Sequence, residues 1–195
     1  MILLGTKNPH KVGEVREILR PLGVGVAVAV DLPDVDETGA TFPENAALKA
    51  LAYAAHCGAA ALADDSGLVV PALGGEPGVR SARYAGGGAG DHANLELLLR
   101  RVRELGLGEP EAYFCCAVAL ALPGEILLEA TGNVDGRIVG EPRGENGFGY
   151  DPVFFHPPSG CTFAELPPER KNALSHRGRA LRELARRLPE VADRL

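Results

Sequence analysis

Apolar residues along the chain switch repeatedly between a strand-like and a helical period. Ile2, Leu3 and Leu4 form a short apolar run that predicts a buried strand. Val12, Val15, Ile18, Leu19 and Leu22 then recur at helical spacing, between Asn8-Pro9 as cap and first turn and Pro21/Gly23 as terminator. Residues 24–30 predict a second strand. A helix rich in Ala and Leu is expected over Phe42–Cys57, opened by the capping-box spacing of Thr41 and Glu44. Residues 62–70 form an apolar strand interrupted by Asp64, Asp65, Ser66 and Gly67. The Gly-rich stretch 71–90 predicts a long loop, and loops of that length in compact domains are usually functional or mobile. Asp91 is expected to cap a helix whose stripe is Leu95, Leu98, Leu99, Val102 and Leu105, stopped by Gly106. Residues 113–122 predict a fully apolar strand, followed by a Pro123-Gly124 turn and a hairpin partner at 126–131. Residues 132–144 are expected to be loop, with Arg137-Ile138-Val139 as an edge-strand candidate. Ser175 is placed to cap a last helix carrying Leu181, Leu184, Ala185 and Leu188.

Composition narrows the class of protein. The 195 residues fit a single domain, 1–195, or one domain in two lobes, with no repeat or low-complexity linker dividing it. A hydrophobic fraction of 46% with 5% aromatics and no Trp means a core of Ala, Leu and Val. The net charge of −6 argues against a duplex nucleic-acid binder, which needs a broad basic face. The four cysteines, Cys57, Cys115, Cys116 and Cys161, form no C-x-x-C pair, so zinc is disfavoured and a reducing cytoplasm is favoured. No signal peptide and no membrane-length apolar run is visible.

The candidate chemistry centres on Asp64 and Asp65. Successive strand side chains point to opposite faces, so one carboxylate can face a cleft while the other makes a structural bond; a strand-ending Asp turn is the plainer alternative. Thr6, Lys7, Asn8, Pro9, His10 and Lys11 join a strand to a helix N-terminus, where backbone N–H groups, the dipole and two lysines suit an anion. The acidic stretch 31–39 has oxygen ligands suited to Mg²⁺ but lacks EF-hand spacing. Lys49 is the one basic residue of its helix before His56, either a surface lysine or a cation aimed at phosphates. Phe148 between Gly147 and Gly149 can present an aromatic face to a base, or can be core behind a turn. His176 and Arg177, at the start of the last helix, oppose its dipole, which an anion or a base carbonyl there would explain.

Six stretches in order resemble the inosine triphosphate pyrophosphatase family: Thr6-Lys7-Asn8-Pro9-His10-Lys11, Glu37 through Ala46, Ala63-Asp64-Asp65-Ser66-Gly67-Leu68, Ser81-Ala82-Arg83-Tyr84, Phe148-Gly149-Tyr150-Asp151-Pro152 and Ser175-His176-Arg177-Gly178. Lys7, Pro9 and His10 stand where relatives often carry small residues. The resemblance implies an α/β fold: a long mixed sheet flanked by helices, in two lobes with a central active-site cleft, assembled as a homodimer. It implies Mg²⁺-dependent hydrolysis of ITP, dITP and XTP to monophosphate and pyrophosphate, a house-cleaning role with a nucleotide as the small-molecule partner and neither nucleic acid nor membrane. By motif, Glu37 and Asp65 serve the metal, Asp65 accepts the proton of the attacking water, and Thr6 to Lys11 hold the phosphates. Ser66, Phe148, Gly149, Tyr150, Asp151, Lys171, His176 and Arg177 contact the rest of the nucleotide. Two rival readings are a regulator that senses ITP without hydrolysing it and a Maf-type pyrophosphatase. The paired carboxylates are superfluous to the first, and the second is not expected to carry the Phe148 and His176 motifs.

Overall fold

A computed structural model of the chain describes residues 2–195. Its seven strands are β1 (Ile2–Leu4), β2 (Val26–Val28), β3 (Ala61–Val69), β4 (Glu111–Leu122), β5 (Glu125–Ile138), β6 (Phe154–His156) and β7 (Cys161–Thr162). They lie in one mixed sheet in the order β2-β1-β3-β4-β5-β6-β7. β1 pairs in parallel with both β2 and β3, whereas β6 pairs antiparallel with β5 and β7. The helices are α1 (Pro9–Leu19), α2 (Phe42–Cys57), α3 (Gly90–Glu104), α4 (Pro168–Leu174) and α5 (His176–Arg187). Among the described residues no helix is long and apolar enough to cross a membrane.

The backbone gathers into two compact units, and β3, β4 and β5 each contribute residues to both. The first unit holds the chain up to Ser66, with Cys116–Asn133 and Ser175–Leu195. Its core is aliphatic: Leu4, Ile18 and Leu19 meet Leu62, Val118, Leu120, Leu181 and Leu184, with α1 against α5. The second unit holds Gly67–Cys115 and Val134–Leu174. It spends half of the chain's six phenylalanines in one cluster, where the Phe154 centroid lies 4.5 Å from Phe114 and 4.9 Å from Phe163. Such pairs add about 0.5–1.5 kcal/mol each beyond the apolar area they bury.

Start and stop signals hold where the chemistry is local. Asn8 caps α1, its Oδ1 accepting from His10 N at 2.9 Å and Lys11 N at 3.4 Å. Thr41 and Glu44 form the reciprocal capping box of α2. Ser175 caps α5 by accepting from Gly178 N at 3.1 Å.

Three expectations need correction. The second strand is only Val26–Val28, because the Val24 amide turns back to close α1 on Leu19 O. Asp91 does not cap α3; Ala89 occupies that position without a side-chain bond, and Asp91 lies in the first turn. The stretch expected to be loop from residue 132 is instead the second half of β5, which runs unbroken to Ile138. Its glycines mark close approach rather than a break: a Cβ on Gly132 would lie 2.3 Å from His176 O, and one on Gly136 would lie 2.5 Å from Phe155 O. The pattern of apolar positions marks no helix at α4, which opens with Pro168 at the first helical position, where its missing N–H costs nothing.

The 71–90 stretch is a tied-down loop with two 3-10 turns, at Pro71–Leu73 and Gly78–Arg83. Ser81 Oγ accepts from Leu68 N at 2.9 Å and donates to Gly78 O at 2.7 Å. Tyr150 donates its hydroxyl to Ser81 O at 2.8 Å, and buried Asn94 bonds Ala82 and Ala85.

Candidate active site

β3 is buried along nearly its whole length, and its two adjacent carboxylates acquire separate partners, as the two-residue period requires. Asp64, 5% exposed, pairs through Oδ2 with Lys11 Nζ at 2.9 Å and with Arg177 Nη2 at 3.2 Å, and accepts weakly from Ser66 Oγ at 3.4 Å. The thiol of Cys116 lies 3.9 Å from the same oxygen, while Asp64 Oδ1 is buried without a hydrogen-bond partner. Arg177 is 1% exposed; its guanidinium also donates to Ser66 Oγ at 2.8 Å and to Glu14 Oε2. The anions that explain a cation in the first turn of α5 are therefore Asp64 and Glu14. Any base-reading by Arg177 shares its guanidinium with these partners.

Asp65 belongs to a different group. Its Oδ1 receives Lys49 Nζ at 3.2 Å, and its Oδ2 receives Asn45 Nδ2 at 3.2 Å. Lys49, only 9% exposed, also donates to Glu37 Oε1 at 2.7 Å, so Glu37 and Asp65 converge on one ammonium. Asn45 bonds in the other direction to Gly39 N at 2.8 Å, tying the acidic loop to α2.

Electrostatics separates the two neighbours. Burial raises the Asp64 carboxyl, but Lys11, Arg177 and Lys49 together outweigh it and hold Asp64 well below the usual carboxylate range. Burial also raises Asp65; Lys49 draws it down, Glu37 pushes it up, and the balance leaves it above its ordinary value. Burial works to lower Lys49, yet Asp65, Asp64 and Glu37 keep it raised and charged. Asp64 is thus held as an anion, whereas its neighbour Asp65 lies above its ordinary value.

The loop before α1 is partly committed to itself. Thr6 Oγ1 accepts from Asn8 N at 3.2 Å, and exposed Lys7 pairs with Asp34 at 2.6 Å. Pro9 has no N–H, and the amides of His10 and Lys11 go to Asn8 Oδ1 rather than standing open. His176 is buried at 5% exposure.

In the second unit, Gly147 and Gly149 adopt left-handed φ of 75° and 63° on either side of Phe148. Asp151 Oδ2 accepts from Phe148 N at 2.9 Å and from Lys171 Nζ at 2.5 Å. The Lys171 ammonium lies 4.9 Å from the Phe148 ring centroid. Asp151, Lys171 and Tyr150 are all buried, at 2%, 3% and 4% exposure.

The Ham1 family model matches residues 2–187. The chain belongs to the Ham1 family. Among Ham1 relatives it is 48% identical to the dITP/XTP pyrophosphatase of Geobacillus kaustophilus, over 97% of this chain and 95% of that one. It is 50% identical to the dITP/XTP pyrophosphatase of an Exiguobacterium species over 94% of each. The solved HAM1 protein of Coxiella burnetii matches it with a TM-score of 0.87 at 43% identity, covering 97% of this chain and 98% of that one.

Three contributors escaped the sequence reading. Asn45 was within sight as a lone amide in a helix of Ala and Leu, and the fold buries it fully. Glu14 lies one turn from Lys11 on α1, but its partner Arg177 is 163 residues away. Asp91 was read as a cap, although its carboxylate bonds Gly149 N across 58 residues.

Among the described residues, no group of three or more His, Cys, Asp or Glu side chains is placed to hold a metal by itself. Glu37 and Asp65 offer an oxygen-only pair around a position that an ammonium already fills with positive charge. That donor set fits Mg²⁺, which takes one or two carboxylates and completes its shell with water and phosphate oxygens.

Proposed function

We propose that this chain hydrolyses deaminated purine nucleoside triphosphates, ITP, dITP and XTP, to the monophosphate and pyrophosphate, with Mg²⁺ as cofactor. The observation that carries the reading is the division of labour on β3: Asp64 is fixed as an anion by Lys11 and Arg177, while Asp65 is raised beside Lys49 and Glu37. Two adjacent acids pushed apart in this way suit one to structure and the other to proton transfer. Names of relatives at 48–50% identity support the same substrate class.

In this reading a water oxygen bonds to the α-phosphorus and the α–β anhydride breaks, releasing pyrophosphate; the water proton goes to Asp65. Such a reaction needs positioning and charge neutralisation more than a covalent nucleophile. Lys11 and the N-terminus of α1 supply positive field to the phosphates, and Lys49 holds Glu37 and Asp65 together. Glu37 and Asp65 would hold Mg²⁺, which when bound contributes charge neutralisation at the phosphates and a lower pKa for water. Phe148 is the stacking surface for the base, and Ser66, His176 and Arg177 contribute to its recognition. A homodimer in the cytoplasm goes with the same reading.

The test is a phosphate-release screen of all common and deaminated nucleoside triphosphates, with Mg²⁺ and added inorganic pyrophosphatase. The expected result is release from ITP, dITP and XTP that depends on the added pyrophosphatase, far above that from ATP and GTP. Tight ITP binding without turnover would replace the reading with a nucleotide sensor. Turnover confined to other nucleotides would favour the Maf-type alternative.

A further inference from the structure

The Phe148 amide is held from inside its own turn, by Asp151, and Asp151 is itself clamped by Lys171. Both of those side chains are almost fully buried, so that end of the loop is fixed. The next amide, Gly149 N, is held from elsewhere: it donates to Asp91 Oδ2 at 2.8 Å, and Asp91 belongs to the first turn of α3. Two successive amides flanking the ring are thus gripped by two carboxylates from different elements. Further back the loop is tied by Arg143 N to Pro152 O and by Asn146 to Ala164 and Leu166. None of these bonds reaches α3.

We propose that Asp91 is a positioning residue for the Phe148 ring, its carboxylate tethering the Gly149 amide to α3 and so fixing the pose in which the ring meets the purine. This rests on the reading of Phe148 as the base-stacking surface. Gly149 sits at φ 63°, where glycine has a wide choice of backbone conformations, so an external hydrogen bond has something to restrain. An exposed acid in the first turn of a helix would serve the dipole wherever it pointed; this one is turned toward an amide 58 residues away. The dipole role alone predicts an effect on stability and none on the ring.

The experiment compares Asp91→Ala with Asp91→Asn, which keeps an oxygen acceptor for the amide. Asp91→Ala is expected to raise KM for ITP about three- to tenfold, the factor given by one net hydrogen bond, with most of the effect in KM rather than kcat. Asp91→Asn should recover most of it. The inhibition constant of inorganic triphosphate, which has no base to stack, should be unchanged. A second arm needs no turnover. The chain contains no Trp, so Phe148→Trp installs a single reporter, and adding Asp91→Ala should lower its anisotropy and increase its quenching by acrylamide. If Asp91→Ala lowers the melting temperature but leaves KM and the Trp signal alone, Asp91 is only a helix-start charge and the proposal is overturned. Equal losses for ITP and inorganic triphosphate would overturn it too. A wild-type chain inactive on every nucleotide would defeat the functional reading, and the anisotropy would still decide the tether.

Discussion

Replacing Asp64 by Asn tests whether the first of the paired acids is structural. The change keeps size and one oxygen acceptor but removes the charge that faces Lys11 at 2.9 Å and Arg177 at 3.2 Å. Removing one partner of a buried ion pair costs about 3–5 kcal/mol, because the remaining charge stays buried and uncompensated. Arg177 keeps Glu14 and Ser66, so the lower end applies, about 3 kcal/mol. For a chain of this size that corresponds to a fall in Tm of about 6–12 °C at neutral pH. The pH dependence has a definite sign. The folded-state carboxyl lies well below its ordinary 3.8, so its contribution is complete above the unfolded value and disappears as pH falls through the folded one. The gap between wild type and variant should therefore be constant at neutral pH and narrow only below about pH 4. Melting curves followed by circular dichroism in EDTA, across that range, read both quantities. An Asp64→Asn variant melting within about 1 °C of wild type at pH 7, or a gap that widens toward acid, would refute the reasoning.

Asp65→Asn should behave oppositely. An acid whose folded pKa is raised costs stability when ionised, so the variant should melt no lower than wild type in EDTA while kcat falls about 10²–10⁴-fold, and near-normal turnover would remove Asp65 as the base. Exhaustive chelation should abolish hydrolysis and Mg²⁺ should restore it; full activity in EDTA would rule out a metal held by Glu37 and Asp65. Arg177→Lys retains a cation beside Asp64 and Glu14 but loses the planar fork, so it should narrow the ITP-to-ATP ratio of kcat/KM, measured by pyrophosphate release. An unchanged ratio would mean that Arg177 serves the buried ion network and does not read the base.

What was legible in the sequence was mostly local. The caps at Asn8, Thr41 and Ser175 depend on residues two to three positions away, and they form as expected. The divergence of Asp64 and Asp65 follows from the pleat alone. Lys49 stood out as a lone cation in an apolar helix, and its burial against Glu37 and Asp65 gives that oddity its cause. The loop expected from residue 132 fails for a different reason: glycine suggests a break by intrinsic preference, and at Gly132 and Gly136 close packing overrides that preference.

The remaining omissions lie in long-range pairing, which no local pattern encodes. Arg177 shows why this matters for function. In sequence it is a donor-only side chain at a helix start, which suggests a free reader of carbonyl oxygens. Among the described residues it is the largest fully buried side chain, enclosed by an Asp 113 residues away and a Glu 163 residues away. Its field pulls Asp64 down, so Arg177 and Lys11 hold Asp64 ionised, while Asp65 lies above its ordinary value and is the acid to which the proposed function gives the water proton. The arginine therefore shapes the chemistry through the acid that it neutralises, whether or not it also touches a base, and only the joint behaviour of Asp64→Asn and Arg177→Lys separates those two contributions.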